Sequence, residues 1–237
     1  MTAPPQLERF ELRPAPGERI VGDRLAGAVP NYLFLHGLGS VRAGEKSAAL
    51  LAHAKACGRG CLRFDFRGHG ESTGRIGHAT VGELIGDTHA ILDGNTPAIL
   101  VGSSLGGLVA AFVAAARPAD VVGLVLIAPA LGFLPRMERR LDPAGRLRTS
   151  QDYAFTVDPR VLADARQLDE DLLPTRLPMP VLIAHGTADD TVPSVLSERF
   201  FAAIPHPRKE LWLVPGGDHR LNQPIAVIWQ RMDALLG

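Results

Sequence analysis

The 237-residue sequence predicts an α/β protein in which a mostly parallel, doubly wound sheet is covered by a small helical cap. Short apolar runs, of which Val121 to Ala128 is an example, are typical of strands that are buried on both faces. These runs alternate with segments of helical pattern, and the alternation favours parallel strands joined by crossover helices. One long segment, 129–178, breaks the alternation without a strand pattern, and this segment predicts the cap.

The boundaries of the individual elements follow from the apolar runs and from capping residues. The expected strands cover 7–13, 18–25, 31–35, 62–66, 98–101, 121–128, 181–184 and 210–214. The expected helices cover 44–57, 80–92, 105–117, 194–203 and 222–236. Thr80 followed three residues later by Glu83 is the arrangement of a capping box, so this pair marks the start of the second helix.

The segment 129–178 is expected to be an insertion between two parts of one α/β core, 1–128 and 179–237. Open α/β sheets bind ligands at the carboxyl ends of their strands, so a cap at that edge would shape access to the site. Its apolar side chains, Phe133 and Met137 among them, either line a channel for the substrate or pack within the cap. Five arginines in its first part either form a solvated helix face or contact an anionic head group or a membrane surface; they are Arg136, Arg139, Arg140, Arg146 and Arg148.

Composition narrows the class of function. The chain has 25 basic and 25 acidic residues, and this balance argues against nucleic-acid binding. No apolar run reaches the roughly 20 residues that span a bilayer, and the first residues lack the apolar core of a signal peptide. We therefore expect a cytoplasmic protein without an integral membrane segment. No pattern in the sequence points to a cofactor or to a metal ion.

Two segments match the pattern G-x-S-x-G, which presents a nucleophilic serine when a strand precedes it and a helix follows it. The segment Gly102–Gly106 follows the apolar run 98–101 and precedes a helical segment without proline, so Ser104 has this context. The segment Gly70–Gly74 lies in a polar, glycine-rich loop, so Ser72 is expected to have a role within that loop. Ser104 is therefore the predicted catalytic nucleophile.

The predicted base and acid follow later in the chain. A serine hydroxyl needs a base within hydrogen-bond reach, and that base needs an orienting acid. His219 follows the last predicted strand in a glycine-rich turn and is the predicted base. Asp189 and Asp190 both follow the strand 181–184, but only one of them can face the histidine. Asp189 is the preferred acid, and Asp190 is expected to brace the loop.

A tetrahedral intermediate needs two aligned N–H donors, which form the oxyanion hole. One donor is expected from Leu105, the residue that follows the nucleophile. The other is expected from Leu38, which follows the pair His36-Gly37 at the end of the strand 31–35.

Taken together, these segments resemble the α/β-hydrolase superfamily of serine hydrolases. The segments that carry the resemblance are His36–Gly39, Asp65–Ser72, Gly102–Gly106, His185–Asp189 and Asp218–His219. Within the superfamily, Ile99–Gly107, Asp189–Pro193 and Asp218–Arg220 are similar to the animal mitochondrial α/β-hydrolase-domain thioesterases, which remove long acyl chains from cysteine.

The resemblance implies the α/β-hydrolase fold and an enzyme that cleaves acyl thioesters or carboxylic esters through an acyl-enzyme. Its substrates would be small acyl esters or thioesters, or palmitoyl groups on protein cysteines. A general carboxylesterase or lipase-like enzyme is the alternative within the same chemistry. Because fold does not settle function, a non-catalytic ligand-binding protein on a hydrolase scaffold is the alternative from another class.

Overall fold

A computed structural model describes residues 6–149 and 153–237. Within these residues the strands are β1 (Leu7–Leu12), β2 (Ile20–Leu25), β3 (Ala28–Leu35), β4 (Arg59–Phe64), β5 (Ala98–Ser103), β6 (Val121–Ile127), β7 (Arg146–Arg148), β8 (Ala154–Thr156), β9 (Val181–Gly186) and β10 (Lys209–Val214). The α-helices are α1 (Glu45–Cys57), α2 (Val81–Leu92), α3 (Leu105–Ala116), α4 (Pro159–Ala165), α5 (Ser194–Ala203) and α6 (Ile225–Leu236).

The larger sheet has the strand order β1-β2-β4-β3-β5-β6-β9-β10. The β1–β2 and β2–β4 pairs are antiparallel, and every pair from β4 to β10 is parallel. Helices α1 and α6 pack on one face of the sheet, and α2, α3 and α5 pack on the other face. The predicted fold class is confirmed, and the carboxyl ends of the parallel strands meet along one edge.

Two helix ends show how the local sequence produces these elements. At the start of α2, the Thr80 hydroxyl accepts the Glu83 N–H and the Glu83 carboxylate accepts the Thr80 N–H, so the predicted capping box is confirmed. At the end of α1, Gly58 has φ 70° and its N–H caps the last carbonyls of the helix. This left-handed turn leads directly into β4, which therefore covers Arg59–Phe64 rather than the predicted 62–66.

The described part of the segment 129–178 is not purely helical, so the expectation that it contains no strand is wrong. The strands β7 and β8 pair antiparallel, with Leu147 opposite Phe155. Three residues per strand are too few to produce a readable alternation, and the two exposed arginines of β7 obscure its one buried leucine. The segment also contains α4 and three short 3-10 helices. Its buried side chains belong to the same apolar cluster as α2 and α3.

No helix within 6–149 or 153–237 combines the length and apolar character that a bilayer-spanning segment requires.

His36 connects the end of β3 to the residues that follow β4. Its ring is buried, and its Nε2 atom accepts the N–H of Phe66 at 3.0 Å. The Nδ1–H then donates to the carbonyl oxygen of Gly37 at 2.8 Å. Burial, together with the smaller effect of the neighbouring His69 ring, lowers the pKa of His36 to about 3. The folded state therefore holds His36 in its neutral form.

This buried neutral histidine predicts a loss of stability in mild acid. In the unfolded chain a histidine binds a proton below a pH of about 6.5, whereas folded His36 stays neutral down to about pH 3. The unfolded state thus gains protons first as the pH falls, and the free energy of unfolding decreases by about 1.4 kcal/mol per pH unit in that window. His36→Gln removes this contribution.

Urea unfolding at about pH 7.5 and about pH 5 measures the effect. The wild type should lose about 2 kcal/mol more stability between these pH values than His36→Gln does. Other buried histidines contribute equally to both proteins and cancel in the comparison. If wild type and His36→Gln lost the same free energy of unfolding between these pH values, the conclusion that folded His36 is neutral would be wrong.

Candidate active site

Ser104 lies in the turn between β5 and α3. Its backbone has φ 52° and ψ −118°, a conformation that residues other than glycine rarely adopt. A Cβ atom built on Gly106 would lie 2.1 Å from the carbonyl oxygen of Leu35, and one built on Gly102 would lie 2.4 Å from the carbonyl oxygen of Gly106. Both glycines of this G-x-S-x-G segment are therefore required by the close approach of strand and helix.

Ser72, the serine of the second G-x-S-x-G segment, is buried in a loop. Its hydroxyl donates to the carbonyl oxygen of Asp65 at 2.6 Å and accepts the N–H of Val21 at 2.9 Å. These two bonds connect the loop to β2. The geometry therefore gives Ser72 a structural role, as its sequence context predicts.

The structure brings together Ser104, His219 and Asp189. His219 Nδ1 lies 2.7 Å from Asp189 Oδ2, and His219 Nε2 lies 3.0 Å from Ser104 Oγ. The aspartate comes from the loop after β9, and the histidine comes from the loop after β10. Because the carboxylate can only accept, Nδ1–H donates to it, and Nε2 is left to accept the serine O–H. This arrangement presents a hydroxyl to a base that a carboxylate orients.

The Asp189 carboxylate is fully buried and surrounded by donors. Its Oδ1 atom accepts the N–H groups of Thr191 and Val192 at 2.9 and 2.8 Å, and His185 Nε2 lies 3.1 Å from Oδ2. Burial alone would raise the pKa of Asp189. The hydrogen bonds from His185, His219 and the Val192 N–H outweigh burial and hold this pKa well below its usual range. Asp189 is therefore ionised beside His219.

The neighbouring Asp190 occupies a different environment. It is exposed, and its Oδ1 atom accepts the Thr191 hydroxyl at 3.1 Å. His185 is fully buried at the end of β9, where its ring bonds to the Ser197 hydroxyl and the Val192 carbonyl oxygen. Of the two adjacent aspartates, Asp189 is the one that lies against the base.

The two predicted N–H donors lie in the segments that flank Ser104. Leu105 is the first residue of α3, and Leu38 lies in the loop after β3. Within the described residues, neither N–H donates a hydrogen bond. The residue before Leu38, Gly37, lies against the nucleophile, because a Cβ atom on Gly37 would be 3.2 Å from Ser104 Cβ. Both donors are thus free to bind an oxygen of a ligand beside Ser104.

His69 positions the loop that contains Leu38, and the sequence did not reveal this contact. Its Nε2 atom accepts the N–H of Gly39 at 3.0 Å, and its Nδ1–H donates to the carbonyl oxygen of Arg67 at 2.9 Å. Burial lowers the pKa of His69, which favours the neutral ring that this pair of bonds requires. The sequence places His69 in a polar loop, but it gives no sign of a partner 30 residues away.

Three cavities adjoin the site. The largest, about 490 Å³, is called the α1 cavity here, and it is lined by Ser104, His219, Lys46, Ser47, Arg220 and Asn222 together with the loop after β3. Two smaller cavities of about 50 and 40 Å³ lie under the segment 129–178 and are called the cap cavities. Leu38, Leu105, Phe133 and Leu147 line both cap cavities. Ser104 borders the first cap cavity as well as the α1 cavity.

Within the described ranges no group of three His, Cys, Asp or Glu side chains is arranged to hold a metal ion. The expectation that the protein uses no cofactor stays a prediction.

Comparison with known proteins places this geometry in a family. The family model described as serine aminopeptidase, S33, matches residues 31–157, which include Ser104. The chain is 32% identical to the mitochondrial palmitoyl-protein thioesterase ABHD10 of Mus musculus over 216 residues, which cover 84% of this chain and 72% of the relative. The corresponding human protein is 29% identical over 84% of this chain and 70% of its own length.

Two solved structures support the same conclusion. Mouse α/β-hydrolase domain-containing protein 10 superposes with a TM-score of 0.83 at 28% identity, covering 96% of this chain and 99% of that one. A putative hydrolase from Agrobacterium vitis S4 superposes with a TM-score of 0.83 at 27% identity, covering 99% of this chain and 100% of that one. The resemblance that the motifs indicate is confirmed. The chain belongs to the α/β-hydrolase family described as serine aminopeptidase, S33, and is a relative of the palmitoyl-protein thioesterases.

Proposed function

We propose that the protein hydrolyses acyl thioesters and carboxylic esters through an acyl-enzyme formed on Ser104. The observation that carries the proposal is the hydrogen-bonded series from Ser104 Oγ through His219 to Asp189. Ser104 Oγ attacks the acyl carbonyl carbon while its proton passes to His219 Nε2. The carbonyl oxygen becomes an oxyanion that the Leu38 and Leu105 N–H groups bind.

The second half of the reaction releases the acid. The tetrahedral intermediate collapses, the bond to the leaving group breaks, and His219 returns its proton to the departing oxygen or sulfur. Water then attacks the acyl-serine and its proton passes to His219. The ester bond to Ser104 breaks, and His219 returns that proton to Ser104 Oγ. Buried Asp189 stays ionised throughout and stabilises the charged His219 ring.

Thioesters are the first substrate class that we propose, because the mouse and human relatives that match 84% of this chain are named as palmitoyl-protein thioesterases. A thiol has a reference pKa of about 8.5, so a thiolate leaves with little proton donation from His219. An alcohol needs that proton. The Nε2 atom of His219 contacts Ser104 Oγ and can supply it, so esters fit the same geometry.

The small volume of the cap cavities favours substrates with short acyl groups. We propose that the segment 129–178 acts as a cap. Its side chains Phe133 and Leu147 would limit the length of acyl group that fits beside Ser104. The cavities of about 50 and 40 Å³ are small beside the roughly 300 Å³ at which ligand pockets begin. A palmitoyl chain would require these side chains to move, whereas a chain of a few carbons would not.

Labelling by a fluorophosphonate tests the nucleophile. Wild-type protein should be labelled, and Ser104→Ala should lose labelling together with at least about 10³-fold in kcat/KM, because the attacking oxygen is gone. Ser72→Ala is the matched control, since it alters the other G-x-S-x-G segment, and its folded fraction should be labelled. A wild-type protein that stays unlabelled would support the non-catalytic alternative, and labelled Ser104→Ala would disprove the assignment.

Substitutions at the two adjacent aspartates, Asp189 and Asp190, test which carboxylate orients His219. Asp189→Asn should lower kcat by about 10⁴-fold, because an amide cannot hold the His219 ring in the required tautomer and charge. Asp190→Asn changes an exposed carboxylate and should leave kcat within about twofold of wild type. Steady-state hydrolysis of one thioester measures both variants. Equal losses, or a larger loss in Asp190→Asn, would contradict the geometry.

A series of acyl thioesters and esters of rising chain length tests the cap cavities. We expect kcat/KM to be highest for chains of about two to six carbons and to fall for palmitoyl, because longer chains meet the cap. Phe133→Ala should move the optimum to longer chains. A wild-type optimum at palmitoyl would show that the cap adopts another position and would favour protein depalmitoylation.

A further inference from the structure

We propose that Glu170 determines which acyl groups the enzyme accepts, because its carboxylate holds Phe133 in place between the two cap cavities. This inference rests on the proposed function, since it concerns the acyl group that is transferred to Ser104. Glu170 contacts the backbone on either side of Phe133, so it is a positioning residue that acts through that ring. The preference for short acyl groups would then depend on a carboxylate outside the catalytic triad.

Phe133 lies at the boundary between the two cap cavities, because its side chain lines both of them. The first cap cavity adjoins Ser104 and has a mixed wall. Its polar lining residues from outside the triad are Arg140, Arg148, Thr149 and Thr191. The second cap cavity is lined mainly by apolar side chains from α2, α4, β7 and β8, together with Arg67 and His69. An acyl chain that begins at Ser104 must pass Phe133 to reach this second space.

The carboxylate of Glu170 binds the backbone on both sides of Phe133. Its Oε2 atom accepts the N–H of Gly132 at 2.6 Å, and its Oε1 atom accepts the N–H of Leu134 at 3.0 Å. Hydrogen bonds to an ionised acceptor are stronger than those between neutral groups. The ring itself packs against the apolar cluster of α2 and α3. A shift of the ring away from this boundary therefore requires the backbone to leave the carboxylate.

Arg136 fixes the same turn through its carbonyl groups. Its Nε–H donates to the carbonyl oxygen of Gly132 at 2.7 Å, and its Nη2–H donates to that of Leu131 at 3.2 Å. At the start of the turn, the N–H of Ala130 donates to the carbonyl oxygen of Ser104 at 3.0 Å. The turn that carries the aromatic ring is therefore connected directly to the backbone of the nucleophile.

The surroundings of Glu170 keep its carboxylate at this turn. Burial raises the pKa of Glu170, and the neighbouring charge of Asp171 acts in the same direction. The N–H groups of Gly132 and Leu134 and the charge of Arg136 oppose this increase. If the carboxylate lost these donors, it would remain partly desolvated without compensating hydrogen bonds, which is costly. The carboxylate and the turn thus stabilise each other.

Two thioesters of one thiol test this role. The measured quantity is the ratio of kcat/KM for the decanoyl thioester to kcat/KM for the butyryl thioester. In Glu170→Gln, an amide offers one acceptor oxygen to two converging N–H groups and turns its own N–H toward the other, so one bond is lost. The ratio should rise at least about fivefold over wild type, while kcat/KM for the butyryl thioester stays within about threefold.

Asp171→Asn is the matched control. Asp171 is the next residue and is exposed, so this variant removes a neighbouring carboxylate and leaves both bonds of Glu170 in place. Its ratio should stay within about twofold of wild type. Titration with a fluorophosphonate counts the active sites of each variant, so that an unfolded fraction does not enter kcat.

A double-mutant cycle with Phe133→Ala separates positioning of the ring from a general loosening of the cap. Phe133→Ala alone should raise the ratio, because the ring no longer divides the two cavities. Since Glu170 acts through this ring, adding Glu170→Gln to Phe133→Ala should change the ratio by less than about twofold. A general loosening of the cap would raise the ratio by the same factor in both backgrounds.

The outcomes separate this inference from the proposed function. If Glu170→Gln keeps the wild-type ratio, or raises it equally with and without Phe133, the positioning role is disproved and the hydrolase stands. A wild-type ratio in Phe133→Ala also disproves it, because the ring would then limit nothing. If wild type is not labelled by the fluorophosphonate and hydrolyses neither thioester, the proposed function itself is disproved.

Discussion

The close approach of α3 to the ends of β3 and β5 is the constraint on which the site depends. Gly106 lies so near the Leu35 carbonyl oxygen that a methyl group could not fit between them. A larger residue would move the start of α3 away from the sheet, and Ser104 and the Leu105 N–H would move with it. The strained backbone of Ser104 persists because the buried strand and helix on either side determine its position.

The parallel arrangement of the sheet supplies the rest of the site without long connections. Asp189 and His219 each follow the end of a strand on the same edge as Ser104, so three short loops bring together side chains that are distant in sequence. The donors around Asp189 come from its own loop and from buried His185. The neutral rings of His36 and His69 position a further loop, the one after β3 that contains Leu38.

Local patterns explain why much of this could be predicted. The alternation of strands and helices is visible in single segments, and Ser104, Asp189 and His219 each lie in a short motif at a strand end. What the sequence could not show depends on contacts between distant segments. The bond between His69 and Gly39 links two loops, and the cavity beside Lys46 and Ser47 exists only after folding. The sequence did not predict β7 and β8, because three residues are too few to show the alternation of apolar and polar side chains that marks a strand.

The position of Ser104 between two cavities determines the order of events in a proposed turnover. If the acyl group stays under the cap while the α1 cavity empties, as the proposed function implies, that cavity would be the route by which the second nucleophile arrives. Water competes there with any small alcohol or thiol that occupies the same space. The enzyme would then be a transferase whenever such an acceptor outcompetes water, and the lining of the α1 cavity would select which acceptor receives the acyl group.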